Sequence, residues 1–381
     1  MFFKKTKIAR LIVGSGEDNP DIRYATNLST PDNFIWFEIK ESKEDKTYQA
    51  CVMSSLEYDR AKESVKAGVD VLRSEDFLGN SIKEQILSIA KKFNLTTFEV
   101  PATFPLSIAD NLRANKLKVI PIEGLFFPQR AYKEDSEVEK IITSLRAAEA
   151  GLTRAREVLA LSTVNNDNTL TYNGELLTSE ILRYEIDSTM LKLGMAATGT
   201  ICAGGLQGSQ PHNVGTGLLY SNTPIVIDIF PRSLTTGYWG DLTRTVVKGK
   251  ATEIVKKAFI AVRDARDKSK ELLHAGVIPE DIHNFCTQYL AEQGFPTGFD
   301  GTNNYGFFHG LGHGLGLEIH EAPRLSKRAK EPFKGGEIVT VEPGVYYPQW
   351  GGIRMEDLVY INKDGNGIKC LTQIDDTFEI E

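Results

Sequence analysis

Apolar residues recur along this chain in two rhythms. From residue 1 to about 123, short β-like runs such as NFIWFEIK and KVIPIEG alternate with stretches of helical spacing such as SIKEQILSIAKKF, the alternation of an α/β unit. From Glu134 onward helical spacing lengthens: EDSEVEKIITSLRAAEAGLTRAREVLA has an acidic first turn and predicts a long surface helix. TSEILRYEIDSTMLKLG, TEIVKKAFIAVRDARDKSKELLHAG and PEDIHNFCTQYLAEQG predict three more, with Gly194, Gly276 and Gly294 as their stops. Strand-like runs lie between and after them, namely TPIVIDIF, DLTRTVVKG, EIVTVEPGVYY and GIRMEDLVYI. The rhythm changes between Leu125 and Asp135, and 381 residues exceed what one core comfortably organises. Two domains are therefore expected, 1–130 and 131–381.

Composition narrows the partners. With 41% hydrophobic and 25% charged residues the chain is ordinary for a globular protein, and its net charge of -7 offers no basic field for a nucleic acid backbone. Cys51, Cys202, Cys286 and Cys370 are scattered without CxxC pairing, which argues against a zinc ribbon or a disulfide framework and suits a reducing cytoplasm. The first residues carry lysines, but the apolar stretch Ala9–Val13 contains Arg10 and is too short for a signal-peptide core. No run approaches membrane-spanning length.

The chemistry is carried by carboxylates inside apolar runs. Asp228 interrupts IVIDIF, Asp241 opens DLTRTVVKG, Glu342 lies between VTV and Pro343, and Glu356 sits in IRMEDLVYI two residues after Arg354, on the same face of a strand. Burying several ionised carboxylates without cations is costly, and two divalent metals would answer them. A second cluster, FFHGLGHGLGLEIHE, gathers His309, His313 and His320 in a glycine-rich loop, half of the six histidines in the chain. No histidine precedes His212, so imidazole chemistry belongs to the second half.

The segments GLGHGLGLEIHEAPRLS, VTVEPG and GGIRMEDLVYI together resemble the proline-specific pita-bread metallopeptidases, which include aminopeptidase P and prolidase. NPDIRYATNLSTPDNFIWFEI resembles, more weakly, that family's smaller creatinase-type N-terminal domain. The resemblance implies an α/β creatinase-type domain followed by an α+β pita-bread catalytic domain, whose two halves are related by pseudo-twofold symmetry about a metal pair. It implies Asp228 as ligand of one metal, Asp241 and Glu356 as bridging carboxylates, and His313 with Glu342 as ligands of the other. Oxygen-rich ligation with one imidazole suits manganese, cobalt, iron or zinc, and the family points to manganese. A hydroxide bridging the ions would be the nucleophile, with Glu342 shuttling the proton. His212 and His320 would line the substrate side, His320 bonding the tetrahedral intermediate; His309 would hold the residue after the scissile bond, and Arg354 would brace the ligands. His274 and His283 match no motif and sit on predicted helices.

The implied activity is cleavage between an N-terminal residue and a following proline, in peptides or in Xaa-Pro dipeptides, by a soluble cytoplasmic homodimer. One departure stands out: twelve residues separate Asp228 from Asp241, more than the family's usual ten or so, and Pro231 and Arg232 follow IF. A longer hairpin keeps facing positions if its register holds, and reshapes the pocket mouth. The rivals are a methionine aminopeptidase, which generally lacks the N-terminal domain and the IRxED setting; a creatinase-like hydrolase, which lacks the full ligand set; and a catalytically inactive pita-bread peptide-binding module, which would be expected to lose ligands.

Overall fold

A computed structural model describes residues 7–40 and 47–381. The lysines at positions 4 and 5, on which part of the leader reading rests, lie outside the described residues. The chain forms two compact units, Met1–Arg130 and Ala131–Glu381.

The first unit is a six-stranded mixed sheet in the order Val69–Arg73, Thr47–Met53, Phe34–Lys40, Lys7–Gly14, Leu95–Pro101, Lys118–Ile122. Its central strands are apolar on both faces because helices cover both. Ala9, Leu11 and Val13 pack with Ile86 and Ile89 of helix Ile82–Phe93 and with Ile108 and Leu112 of helix Leu106–Ala114. Ile12 and Trp36 turn the other way, toward Ile22 of helix Pro20–Thr26 and toward Phe126 and Phe127. Local chemistry starts and stops these helices. Ser81 and Glu84 close a reciprocal capping box, and Asn27 and Asn94 end their helices in the left-handed region.

The second unit repeats one theme twice, a helix pair on a sheet, as the resemblance implies. Helices Asp135–Leu161 and Ser179–Lys192 accompany a four-stranded sheet in the order Ile201–Gly204, Pro224–Ile229, Leu242–Lys248, Glu379–Ile380. Gly151 of the long helix lets it close on Ile186 and Met190 of its neighbour and on Ile229 of the sheet. Helices Glu253–Glu271 and Pro279–Glu292 accompany a five-stranded sheet in the order Glu321–Leu325, Gly312–Gly314, Ile338–Val341, Asp357–Ile361, Ile368–Cys370. There Val262, Ala265, Ile282 and Cys286 share one core with Val339, Val341, Val359 and Ile361.

Several details differ from the sequence reading. The third predicted helix ends at Glu271, not Gly276, because the chain turns so that the Gly276 N–H reaches the Phe333 carbonyl at 2.7 Å. His274 consequently lies beyond the helix. EIVTVEPGVYY and GIRMEDLVYI are each two strands, Ile338–Val341 then Gly344–Tyr347, and Gly351–Arg354 then Asp357–Ile361. Pro343 has no N–H to continue the first ladder, so Glu342 and Glu356 occupy breaks rather than strand interiors. His313 lies in the short strand Gly312–Gly314 rather than in a loop. That strand depends on its glycines: a Cβ at Gly312 would stand 1.9 Å from the Thr340 carbonyl oxygen.

Gly312→Ala is therefore expected to push this strand off Ile338–Val341 and to cost about 1–3 kcal/mol of stability, as overpacking does. A urea midpoint equal to that of the unaltered protein would contradict this.

Candidate metal centre

Two antiparallel strands bring the aspartates together. Pro224–Ile229 pairs with Leu242–Lys248 in unbroken register from Pro224 opposite Val247 to Ile229 opposite Leu242, with Asp228 opposite Thr243. Because side chains alternate, Asp241 and Thr243 share the face of Asp228. The twelve-residue connection leaves this register intact; part of it, Arg232–Ser233, pairs with Met195–Ala196.

From the other sheet come the imidazole and the glutamates. Asp241, His313 and Glu356, all buried, offer ligand atoms within 4.8 Å of one another. His313 Nε2 lies 3.2 Å from Glu342 Oε1 and 3.6 Å from Asp241 Oδ2. Asp228 is set to one side, where its Oδ2 accepts from the Arg354 guanidinium at 2.7 Å. Arg354 also donates to the Tyr346 hydroxyl at 2.9 Å and the Pro211 carbonyl at 3.1 Å.

Hydroxyls aim the candidate ligands. Thr243 Oγ1 donates to Glu356 Oε2 at 2.9 Å, and Thr340 Oγ1 donates to Glu342 Oε1 at 3.1 Å while accepting from the His313 backbone N–H at 3.0 Å. His313 Nδ1 faces the Gly314 carbonyl at 3.2 Å, so this nitrogen carries the proton. Its Nε2 lone pair then faces two carboxylates, an arrangement that needs either a second proton or a cation between them.

The titration behaviour carries the same message. Burial, reinforced by the surrounding carboxylates, raises Asp241 and Glu356 well above the usual carboxylate range. Burial also disfavours ionised Glu342, but its hydrogen bond to His313 and the neighbouring positive charges hold it down to about 2. His313 is pulled down by burial and raised overall by Glu342 and Asp241. A divalent cation among four carboxylates and one imidazole nitrogen would satisfy all these groups at once, so the donor set fits the metal that the sequence implies.

A cavity of about 550 Å³ opens over this cluster. All five expected ligands line it, as do His212, His309, His320 and Arg354. His309 Nδ1 donates to the Gly310 carbonyl at 2.7 Å, leaving Nε2 to accept from the Tyr346 hydroxyl at 2.9 Å. His320 meets His313 edge-on, with ring centroids 4.3 Å apart; burial and the nearby His313 and Arg324 charges push it down to about 4. It is therefore neutral near pH 7. His283, on helix Pro279–Glu292, and His274 do not line the cavity.

Thr243, Thr340, Tyr346 and Arg324 belong to the site or its support and were missed in the sequence. The threonines left a faint signal, since a buried strand hydroxyl needs a partner. Arg324, which stands opposite His313 in the strand pair and lines the cavity, left none.

A family model described as metallopeptidase family M24 matches residues 139–363. A Xaa-Pro dipeptidase of Pyrococcus furiosus is 29% identical over 321 residues, 84% of this chain and 82% of that protein. Two solved structures share the fold. The Xaa-Pro dipeptidase from Bacillus anthracis has a TM-score of 0.81 at 22% identity, covering 98% of this chain and 95% of that one. The X-Pro aminopeptidase from Thermotoga maritima has a TM-score of 0.79 at 22% identity, covering 98% of both. The second unit is thus a pita-bread fold.

The raised Asp241 and Glu356 give the ion-free protein a definite pH dependence. Above the ordinary carboxylate range these two hold protons in the folded state that the unfolded chain has released, so their contribution falls as pH rises. His313, also raised, has the same sign; Glu342, held down, loses its contribution only toward pH 2. Metal-stripped protein is expected to melt lower at about pH 8 than at about pH 5.5, and Mn²⁺ is expected to remove most of that difference by binding the ionised groups. A stripped protein whose melting point rises across that interval would contradict the assignment.

Proposed function

The chain belongs to metallopeptidase family M24, and from that premise we propose that it is a metallo-exopeptidase cleaving the bond between an N-terminal residue and a following proline. Asp228, Asp241, His313, Glu342 and Glu356 would hold two divalent ions, with manganese suited to this oxygen-rich set. The observation that carries the reading is the convergence of these residues at one cavity wall, with an imidazole nitrogen facing ionisable carboxylates. The names of the relatives, a Xaa-Pro dipeptidase and an X-Pro aminopeptidase among them, support the substrate class.

Bound divalent ions supply Lewis acidity, which polarises the scissile carbonyl and makes water a nucleophile near neutral pH. The remaining work belongs to side chains. Glu342, ionised at neutral pH and facing the cavity, takes the proton from the attacking water and passes it to the departing proline nitrogen. His320, neutral and on the cavity wall, donates its N–H to the oxygen on which charge develops. His309, fixed by Gly310 and Tyr346, and His212 bound the substrate side. Arg354 pairs with Asp228 and aims it. A cytoplasmic homodimer is the setting we propose, from the family resemblance and the unpaired cysteines; no helix among the described residues is long and apolar enough to cross a membrane.

Substrate length turns on a cation for a free carboxylate. Of the two guanidinium groups in the cavity, Arg354 is committed to Asp228, whereas Arg324 is exposed and carries no ion pair among the described residues. Arg324 is thus the group suited to the carboxylate of an Xaa-Pro dipeptide.

Metal-stripped protein reloaded with Mn²⁺ is expected to cut Ala-Pro or Ala-Pro-Ala and to leave Ala-Ala-Ala intact. Glu342→Ala should abolish turnover, and His283→Ala should leave it nearly unchanged. If no proline peptide is cut with any divalent ion, the inactive binding module takes the place of this reading. Arg324→Ala should raise KM for Ala-Pro at least tenfold while changing KM for Ala-Pro-Ala less; equal changes would remove Arg324 from carboxylate recognition.

A further inference from the structure

Glu356 is held in an unusual way for a residue so deeply buried. It sits in the break between strands Gly351–Arg354 and Asp357–Ile361, so no ladder fixes its backbone. Its support comes from two consecutive residues of the strand Leu242–Lys248. The Glu356 N–H donates to the Thr243 carbonyl at 3.0 Å, and Thr243 Oγ1 donates to the Glu356 carboxylate. On the opposite face of that strand, the Arg244 guanidinium donates through Nη1 to the Glu356 carbonyl and, at 3.0 Å, to the Thr243 carbonyl. Side chain, N–H and carbonyl of Glu356 are thus all held from positions 243 and 244.

Arg244 is itself pinned. Its side chain is 2% exposed; Nη2 donates to Asp357 Oδ1 at 2.8 Å, and Nε stands 3.1 Å from Asp376 Oδ1. Arg266 ties the same two aspartates together, donating to both oxygens of Asp376 at 2.9 and 2.6 Å and lying 3.3 Å from Asp357 Oδ2. Lys270 also pairs with Asp357, and Asp267 pairs with Arg266 and Lys270. Three cations meet three carboxylates, so this cluster is neutral and leaves the charge demand of the metal site untouched. Asp376 lies in the last stretch of the chain, which the long helix straps down: Arg146 donates to the Leu371 carbonyl, Glu149 accepts from the Gln373 N–H, and Arg156 holds Asp375.

We propose that Arg244 is a positioning residue for the Glu356 ligand, and that Asp376 of the C-terminal segment completes the scaffold by fixing the Arg244 guanidinium. The proposal rests on reading Glu356 as a metal ligand. In chemical terms, this last stretch of the chain supports the metal site without touching the ions: the Asp376 charge holds the Arg244 guanidinium in place, which holds the carbonyl and hence the carboxylate of Glu356.

The test titrates metal-stripped full-length protein with MnCl₂ by calorimetry and follows thermal unfolding of the same ion-free samples. Asp376→Asn, isosteric and partly exposed, is expected to weaken Mn²⁺ binding about tenfold or more, while Asp375→Asn, one residue away and ion-paired with Arg156, leaves it within twofold. Asp376→Asn is expected to melt below Asp375→Asn without metal, because it leaves Arg244 and Arg266 short of a carboxylate, so the affinities are compared well below every melting point, where far-ultraviolet circular dichroism shows each variant folded. Arg244→Lys, which keeps the charge but loses the fork, should lose affinity at least as far as Asp376→Asn. Native-like Mn²⁺ affinity in Asp376→Asn, or equal loss in Asp375→Asn, overturns the positioning role while leaving the ligand assignment standing. If the unaltered chain takes up no Mn²⁺, the ligand assignment itself falls and the proposal with it.

Discussion

The structure of the second unit is organised around a repulsion. Asp241, Glu342 and Glu356 crowd His313 in a buried volume, with Asp228 beside them, and each ionised carboxylate taken from water carries a penalty of several kcal/mol that only a nearby cation offsets. Arg354 answers Asp228. Glu342 is held by His313, whereas Asp241 and Glu356 are displaced upward, by burial first and by the neighbouring carboxylates in addition. A divalent metal would resolve this repulsion, and the concentration of negative charge that makes the ion-free site costly favours a dication over a monovalent ion.

Holding such a site open requires a backbone that does not relax away from it. Both sheets contribute edges and interruptions at this point. Pro343 breaks one ladder beside Glu342, and the chain crosses from one strand to the next at Met355 and Glu356. Backbone bonds persist at both breaks, Glu342 N–H to the Leu311 carbonyl and Glu356 N–H to the Thr243 carbonyl, while side-chain hydroxyls hold the carboxylates, Thr243 that of Glu356 and Thr340 that of Glu342, which it links to the His313 backbone. Gly312 and Gly314 admit the Thr340 and Ala322 carbonyls at distances no side chain would allow. Behind the carboxylates, Tyr346 joins Arg354 to His309, so these two cavity-lining residues share one hydrogen-bonded frame.

Much of this was legible in the chain itself. Alternating apolar runs and helical stretches in the first unit follow directly from burial on both faces of its sheet, and the four long helices of the second follow from apolar spacing. The buried carboxylates at the cavity were legible for a physical reason: an Asp or Glu embedded in an apolar run has few ways to be tolerated, so IVIDIF, VTVEPG and IRMEDLVYI mark themselves, and HGLGHG marks close backbone approach. The resemblance to the proline-specific metallopeptidases converted those marks into a fold and a set of roles.

What only the tertiary structure decided concerns partners distant in sequence. That Glu342 and Glu356 stand at strand breaks, that helix Glu253–Glu271 stops short of Gly276, and that Arg324 faces the cavity all depend on which backbone groups find partners across the sheet. Arg244 and Asp376 are separated by 132 positions, and nothing local in either stretch announces that they meet. Periodicity reports which side of an element is buried, because burial acts on each residue singly; it is silent on which buried charge meets which, because that pairing is a property of two segments brought together by packing.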